Sequence, residues 1–323
     1  MAGPLGTEAT PVWRKGEATP MISAAKQGMI GISIRDTALR MVEAVKIGDE
    51  CRISKLTQAR VHAPFHILAL KDRITIRRFA EEINRLYDTS DFSVASSVFI
   101  LDAQSVLIKK IPVDGNLQGE RLKDHVRWEV GQCIISEVGD YIVDHYRLPP
   151  KNGHEYTDVV VGAVRRVAVD FLKEMFSNTD LKLQAIDVDI FAAQRVFSAN
   201  YETHADEHAA LIDVRNSSLQ ISILKGNEFF LAHDLEYQIE PENDFTRRDH
   251  DYVARLISKE LRRLIIDHKL GKSVEDMAAI YLYGDHVTDQ LLETLQNTHN
   301  VRIDRVNPFR KIKMTSPGSE ILS

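Results

Sequence analysis

Cysteine is almost missing from this chain. Cys51 and Cys133 are its only two in 323 residues, far apart and in no metal-like spacing. Such usage suits a reducing compartment and argues against a disulfide framework. Long apolar runs are missing too: no uninterrupted stretch approaches the ~18–20 residues that a bilayer-spanning helix needs. The N-terminal residues lack the apolar core of a signal peptide. A net charge of −6 supplies no electrostatic case for nucleic acid or an anionic membrane as the main partner. There is no Walker loop, no Gly-x-Ser-x-Gly and no Cys–His pair with nucleophile logic.

What is present reads as two α/β halves between loose ends. Residues 1–28 repeat Glu8-Ala9-Thr10-Pro11 as Glu17-Ala18-Thr19-Pro20 and predict a disordered tail. Residues 29–70 predict three strands: Ile30, Ile32 and Ile34 alternate, 41–45 follow, and 61–70 close the group. Ile76, Phe79, Ala80, Ile83, Leu86 and Tyr87 fall at helical spacing. Residues 94–101 form a short apolar run of buried-strand type. A differently textured piece over about 104–150 predicts an inserted subdomain, after which 159–163 read as a return to the first sheet. The second half restarts with hairpin strands at 209–214 and 219–224, and ends near 309. Residues 310–323 predict a loose end. Strand, helix and insertion in this order predict an α/β fold, with 29–208 as the first lobe and 209–309 as the second.

The two halves open alike, on GISIRDTALR from Gly31 and on ALIDVRNSSL from Ala210. Each has the frame of a phosphate-binding β-hairpin, yet each places an arginine, Arg35 or Arg215, where close backbone approach to a phosphate favours glycine. Later in the chain a strand runs into a turn at Tyr281-Leu282-Tyr283-Gly284.

Several segments together resemble the PilM family of type IV pilus assembly proteins, within the actin/FtsA superfamily. Residues 31–43 are similar to that family's opening hairpin, written near G-I-D-I-G-S-S-S-V-K-x-V-E. Trp128-Glu129 with Ile134 resembles its W-E-x-x-x-x-I, residues 144–148 its D-Y-x-x-L strand, and residues 183–196 its V-D-V-E-x-x-A-L helix. Residues 281–284 resemble its Y-L-S-G-G turn, and Asn307-Pro308-Phe309 its closing N-P-F. The resemblance spans about residues 29–309. It implies an actin-like (ribonuclease H-like) two-lobed fold with ATP between the lobes and a small α+β subdomain inserted in the first lobe.

The same resemblance implies a cytoplasmic scaffold, held peripherally at the inner membrane. Its groove beside the insertion would dock the short cytoplasmic N-terminus of a PilN-like inner-membrane protein, and it would work with the assembly ATPase of the pilus or a related secretion machine. Val106, Ile108, Ile111 and Trp128 are the candidates for that groove. The nucleotide motifs depart from the family pattern. Ser33 stands at the magnesium-holding aspartate, Arg35 at the glycine, and Asp36 and Thr37 complete the first turn. Asp213 keeps its carboxylate, but Arg215 replaces the glycine before Asn216 and Ser217. Gly284 is followed by Asp285 where a second glycine is expected. These read as remnants of a nucleotide pocket, and neither nucleotide nor metal is expected as a cofactor. The opposing reading has Arg35 and Arg215 grip ATP and magnesium directly, as bidentate anion binders, in a weak ATPase or switch. Hydrolysis needs a placed metal and an aligned water, which favours the first reading. Asp189 falls at the position that orients water in active relatives; alone, it reads as a helix-start carboxylate or salt-bridge partner.

His204 and His208 stand four apart beside Asp206 and Glu207, but a stable zinc site wants three or four ligands, so a solvated acidic loop is the expectation. His62 and His66 have Pro64 between them and share no helix face. The pairs Arg247-Arg248 and Arg262-Arg263 read as exposed charges.

Overall fold

The computed structural model describes residues 28–47, 50–67, 72–149, 155–237 and 247–315. Most of the tail expected over 1–28, and the end of the strand expected to reach residue 70, lie outside these. The chain forms two compact units, one of Met1–Ala192 with Ile312–Ser323 and the other of Ala193–Lys311.

The first unit opens with β1 (Gly28–Ile47) and β2 (Glu50–Phe65). β1 turns back on itself. A methyl group on Gly28 would lie 3.3 Å from the Ala44 carbonyl oxygen, and Gly31 faces the Val42 carbonyl. The reversal falls at Asp36-Thr37, where Asp36 takes φ 49°. Its inward side chains Ile30, Ile32, Ile34, Leu39 and Met41 share one core. Three extended arms therefore exist as expected, but the third starts at Glu50, well before the apolar residues near Val61. Residues 50–60 are mostly polar and half-exposed because β2 lies toward the sheet edge, where the outer side needs no apolar cover.

α1 (Arg73–Thr89) follows, with Asp72 capping it by accepting from the Thr75 N–H at 2.8 Å. It buries Ile76, Phe79, Ala80, Ile83 and Leu86 against the sheet. β3 (Ser96–Leu101) leads into the insertion, built from β4 (Val106–Asp114), α2 (Gly119–Gly131), β5 (Tyr141–Arg147) and β6 (Tyr156–Arg165). α3 (Arg166–Ser177) and β7 (Lys182–Val188) follow, and α4 (Asp189–Asn200) begins in this unit and continues into the second. The second unit holds β8 (His208–Val214), β9 (Ser218–Lys225), β10 (Glu228–Glu236), α5 (Arg247–Asp267), β11 (Ala279–Tyr283), α6 (Asp289–Thr298) and β12 (Ile303–Arg305). β13 (Lys313–Met314) returns to pair with β2 at the edge of the first sheet, so part of the expected loose end is a strand.

The sheets run β13-β2-β1-β3-β7 and β10-β9-β8-β11-β12. Leaving β13 aside and taking the two arms of β1 separately, the two orders match strand for strand, which is a duplicated fold: an antiparallel hairpin and a third strand on one side, two parallel strands on the other.

One expectation needs correcting. The run 159–163 does not rejoin the first sheet: β6 is the central strand of a separate three-stranded sheet, β4-β6-β5. A central strand is apolar on both faces in either sheet, so its pattern could not tell the two apart. The insertion thus extends to Arg165. Its own core joins Ile111, Val113, Leu122, Val126, Val130, Val159, Val161 and Ala163.

Candidate functional site

In the first unit, Ser33, Arg35, Asp36 and Thr37 lie at or beside the β1 reversal. The left-handed backbone falls on Asp36 rather than on Arg35. Aspartate tolerates that region better than arginine would, so the turn has been rebuilt around a residue that fits it. Arg35 instead sends its guanidinium to Asp189, at 3.8 Å. The other Asp189 oxygen accepts from the Ala103 N–H at 3.1 Å, at the entrance to the insertion. The Arg35 side walls a cleft of ≈ 120 Å³ with His66, Phe99, Asp102, Gln104 and Ser105.

In the second unit the remnants are drawn into one buried cluster. Asp213, at the end of β8, has no exposed surface, and its Oδ2 accepts from Arg215 Nε at 2.9 Å. Arg215 also donates to Gln220 Oε1 at 3.1 Å, and Gln220 donates to Asp234 at 3.1 Å. The Tyr237 hydroxyl donates to the Arg215 carbonyl. Burial, with the Asp213 carboxylate nearby, pushes the Tyr237 phenol well above its ordinary value. Asn216 and Ser217 form the exposed tip of the turn, closed by Arg215 N–H to the Ser218 carbonyl at 3.0 Å. Gln220, Asp234 and Tyr237 had no marker in the sequence; only the β8–β9–β10 register brings them to Arg215.

Gly284 belongs to the same cluster, since β11 pairs with β8 and sets Tyr283 beside Asp213. It sits at φ 108°, and a Cβ there would lie 2.5 Å from the Val214 carbonyl oxygen and 2.9 Å from its nitrogen. Gly284→Ala is expected to lower stability by about 2–4 kcal/mol, from forbidden backbone and collision with an immobile strand. Urea unfolding of the variant measures this, and an unchanged midpoint would show that the turn can re-form without glycine.

The four groove candidates do not share one surface. Ile111 is inside the insertion's core. Trp128 is 60% exposed on the outer side of α2, stacked on His125. Val106 packs toward the first unit's main core. Ile108 is half-exposed on the sheet face turned away from α2, since its neighbours Leu107 and Ile111 face the helix side. Ile108 pairs across Gly162 to Asp144, and Lys110 across Val160 to Tyr146. Val106 pairs across Val164 to Ile142. This second face carries Ile108, Ile142 and Tyr146, all half-exposed, around a glycine that contributes no side chain. Ile142, Tyr146 and Gly162 were not singled out in the sequence, where each looked like an ordinary strand residue.

Among the described residues no group of three or more His, Cys, Asp or Glu is placed to hold a metal, and no helix is long and apolar enough to cross a membrane.

A duplicated five-stranded α/β unit, with an α+β subdomain inserted in the first copy, defines an actin-like protein. The family model for the type IV pilus assembly protein PilM matches residues 31–239, and the chain belongs to that family. It is similar to the solved PilM-PilN type IV pilus biogenesis complex, at 21% identity and a TM-score of 0.70, over 88% of this chain and 90% of that one. A Bacteroides thetaiotaomicron protein with an actin-like ATPase fold matches at 13% identity and a TM-score of 0.48, over 88% and 92%. The cytoplasmic domain of EpsL, an inner-membrane component of the Vibrio cholerae type II secretion system, matches at 13% and 0.41, over 86% and 97%.

Proposed function

We propose that this type IV pilus assembly protein is a non-catalytic scaffold that docks the cytoplasmic N-terminal peptide of a PilN-like inner-membrane protein. The observation that carries the reading is the outward face of β4-β6-β5, where Ile108, Ile142 and Tyr146 surround the bare backbone of Gly162. An extended peptide laid there could seat apolar side chains over the glycine. Through that partner the protein would be held at the cytoplasmic side of the inner membrane, in reach of the machine's assembly ATPase.

The nucleotide motifs support a scaffold rather than an ATPase. Ser33 offers no carboxylate to a magnesium shell. Arg215 is engaged by Asp213 and Gln220, and Arg35 is turned to Asp189. The residues present do not fit magnesium–ATP, because the one carboxylate retained in the hairpins' acidic positions is already neutralised within its own turn.

Calorimetric titration tests both halves. Peptide should bind and magnesium–ATP should not, and Ile108→Glu should weaken the peptide by at least about tenfold while leaving the melting curve unchanged. Undiminished peptide binding by Ile108→Glu removes the groove from the account. Tight ATP binding would replace the scaffold with a nucleotide switch.

A further inference from the structure

The outer side of α5 carries a line of cations that the fold does not use. Arg255, Lys259 and Arg262 recur at helical spacing, Lys269 follows just beyond the helix end, and all four are exposed. At 100° per residue the three on the helix fall within an arc of roughly 60°. Among the described residues none of the four makes an ion pair or a side-chain hydrogen bond. The helix is not short of acids: Glu260 and Asp267 lie on its flank, and both are taken by Arg263, at 2.7 and 3.9 Å. Flanking the three helical cations stand two exposed apolar side chains, Tyr252 at 41% before Arg255 and Ile266 at 58% after Arg262. The opposite side is consumed by the second unit's core, through Val253, Ile257, Leu261, Leu264 and Ile265.

The charge is also out of keeping with the rest of the chain. Residues 247–272 hold eight Lys and Arg against four Asp and Glu, which is +4 in a chain of −6 and leaves −10 elsewhere. We propose that this face of α5 docks the acidic face of a partner helix, with Tyr252 and Ile266 as apolar anchors on either side of Arg255, Lys259 and Arg262.

Charge complementarity selects an acidic partner, and the shape of the line selects a helix over a lipid surface. Acidic residues at i, i+4 and i+7 on one helix repeat at the spacing of Arg255, Lys259 and Arg262. A stripe one helix wide also matches the width of a single rod. The inference is independent of the peptide groove, which lies in the other unit.

The test uses the full chain and a synthetic helical peptide of about 22 residues, matched to the length of α5. The peptide carries Glu at i, i+4, i+7 and i+11 and an apolar residue near each end; a scrambled peptide of the same composition is the control. Fluorescence anisotropy should show the patterned peptide binding more tightly than the scrambled one, and more weakly as salt rises. Arg255→Gln/Lys259→Gln/Arg262→Gln should lose about tenfold or more in affinity with an unchanged circular dichroism spectrum, and the corresponding Arg→Lys variant should retain binding. Equal binding of the scrambled peptide, or no effect of the triple change, overturns the proposal. So does cosedimentation with phosphatidylglycerol vesicles that the triple variant abolishes, which would make lipid the occupant. Self-association of the wild type that the triple variant dissolves overturns it as well, in favour of a second copy of the chain.

Discussion

Asp213→Ala is expected to destabilise the second unit by about 3–5 kcal/mol, because it removes the carboxylate that faces a buried guanidinium. Arg215 is only 7% exposed and Asp213 is completely covered, so water cannot replace the lost carboxylate. Gln220, which also accepts from Arg215, is neutral and does not replace that charge. The loss reaches the turn itself, whose carbonyl at Arg215 is held by Tyr237. Replacing both charges, as Asp213→Leu with Arg215→Met, should recover most of the stability, since a buried ion pair is often no better than apolar residues of similar volume. Thermal unfolding of the two variants distinguishes the cases. A single variant as stable as wild type would show that Arg215 finds solvent, and the guanidinium would then be available to a ligand after all.

Glu43→Ala should cost the first unit a comparable amount, about 3–5 kcal/mol, through hydrogen bonds to a charged group. Glu43 is 1% exposed. Its carboxylate accepts from the Ser54 hydroxyl at 2.5 Å, the Ser93 N–H at 2.7 Å and the Ser93 hydroxyl at 2.8 Å. It thereby ties β1 to β2 and to the segment entering β3. Burial raises the carboxyl's pKa, but the Ser54 and Ser93 hydrogen bonds, with Lys55 nearby, outweigh it and hold the group below its ordinary 4.5. A depressed pKa contributes stability above the unfolded-state value and loses it as pH falls through the folded one. The wild type should therefore lose stability progressively below about pH 4.5, and Glu43→Gln should be less stable at pH 7 with a shallower acid decline. An identical acid profile in Glu43→Gln would place the acid sensitivity on other carboxylates.

Glu43 also shows how far a resemblance reaches. It is the closing acid of the family's opening hairpin, so its position was legible from residues 31–43, but its work was not. Its partners Ser54 and Ser93 are 11 and 50 residues away, and nothing in their local pattern marks them. The two arginines were legible as departures, while their direction was not. Whether Arg215 points outward to an anion or back to Asp213 depends on Gln220 and Asp234 arriving beside it through strand register. The groove followed the same rule: Ile108 and Ile111 differ by an odd number of positions, and alternation in a strand puts them on opposite faces. Once Ile111 is committed to the core under α2, Ile108 belongs to the other side.

By itself the sequence determined the class. Alternation in the hairpins, the helical spacing in 76–87 and the ordered motifs from 31 to 309 are local patterns, and they specified two actin-like halves with an insertion in the first. Tertiary structure alone decided which sheet β6 joins, which carboxylate Arg35 and Arg215 each meet, and which cations of α5 remain unpaired among the described residues. These outcomes depend on residues far apart in the chain meeting across strands and helices, and a local pattern carries no record of such meetings.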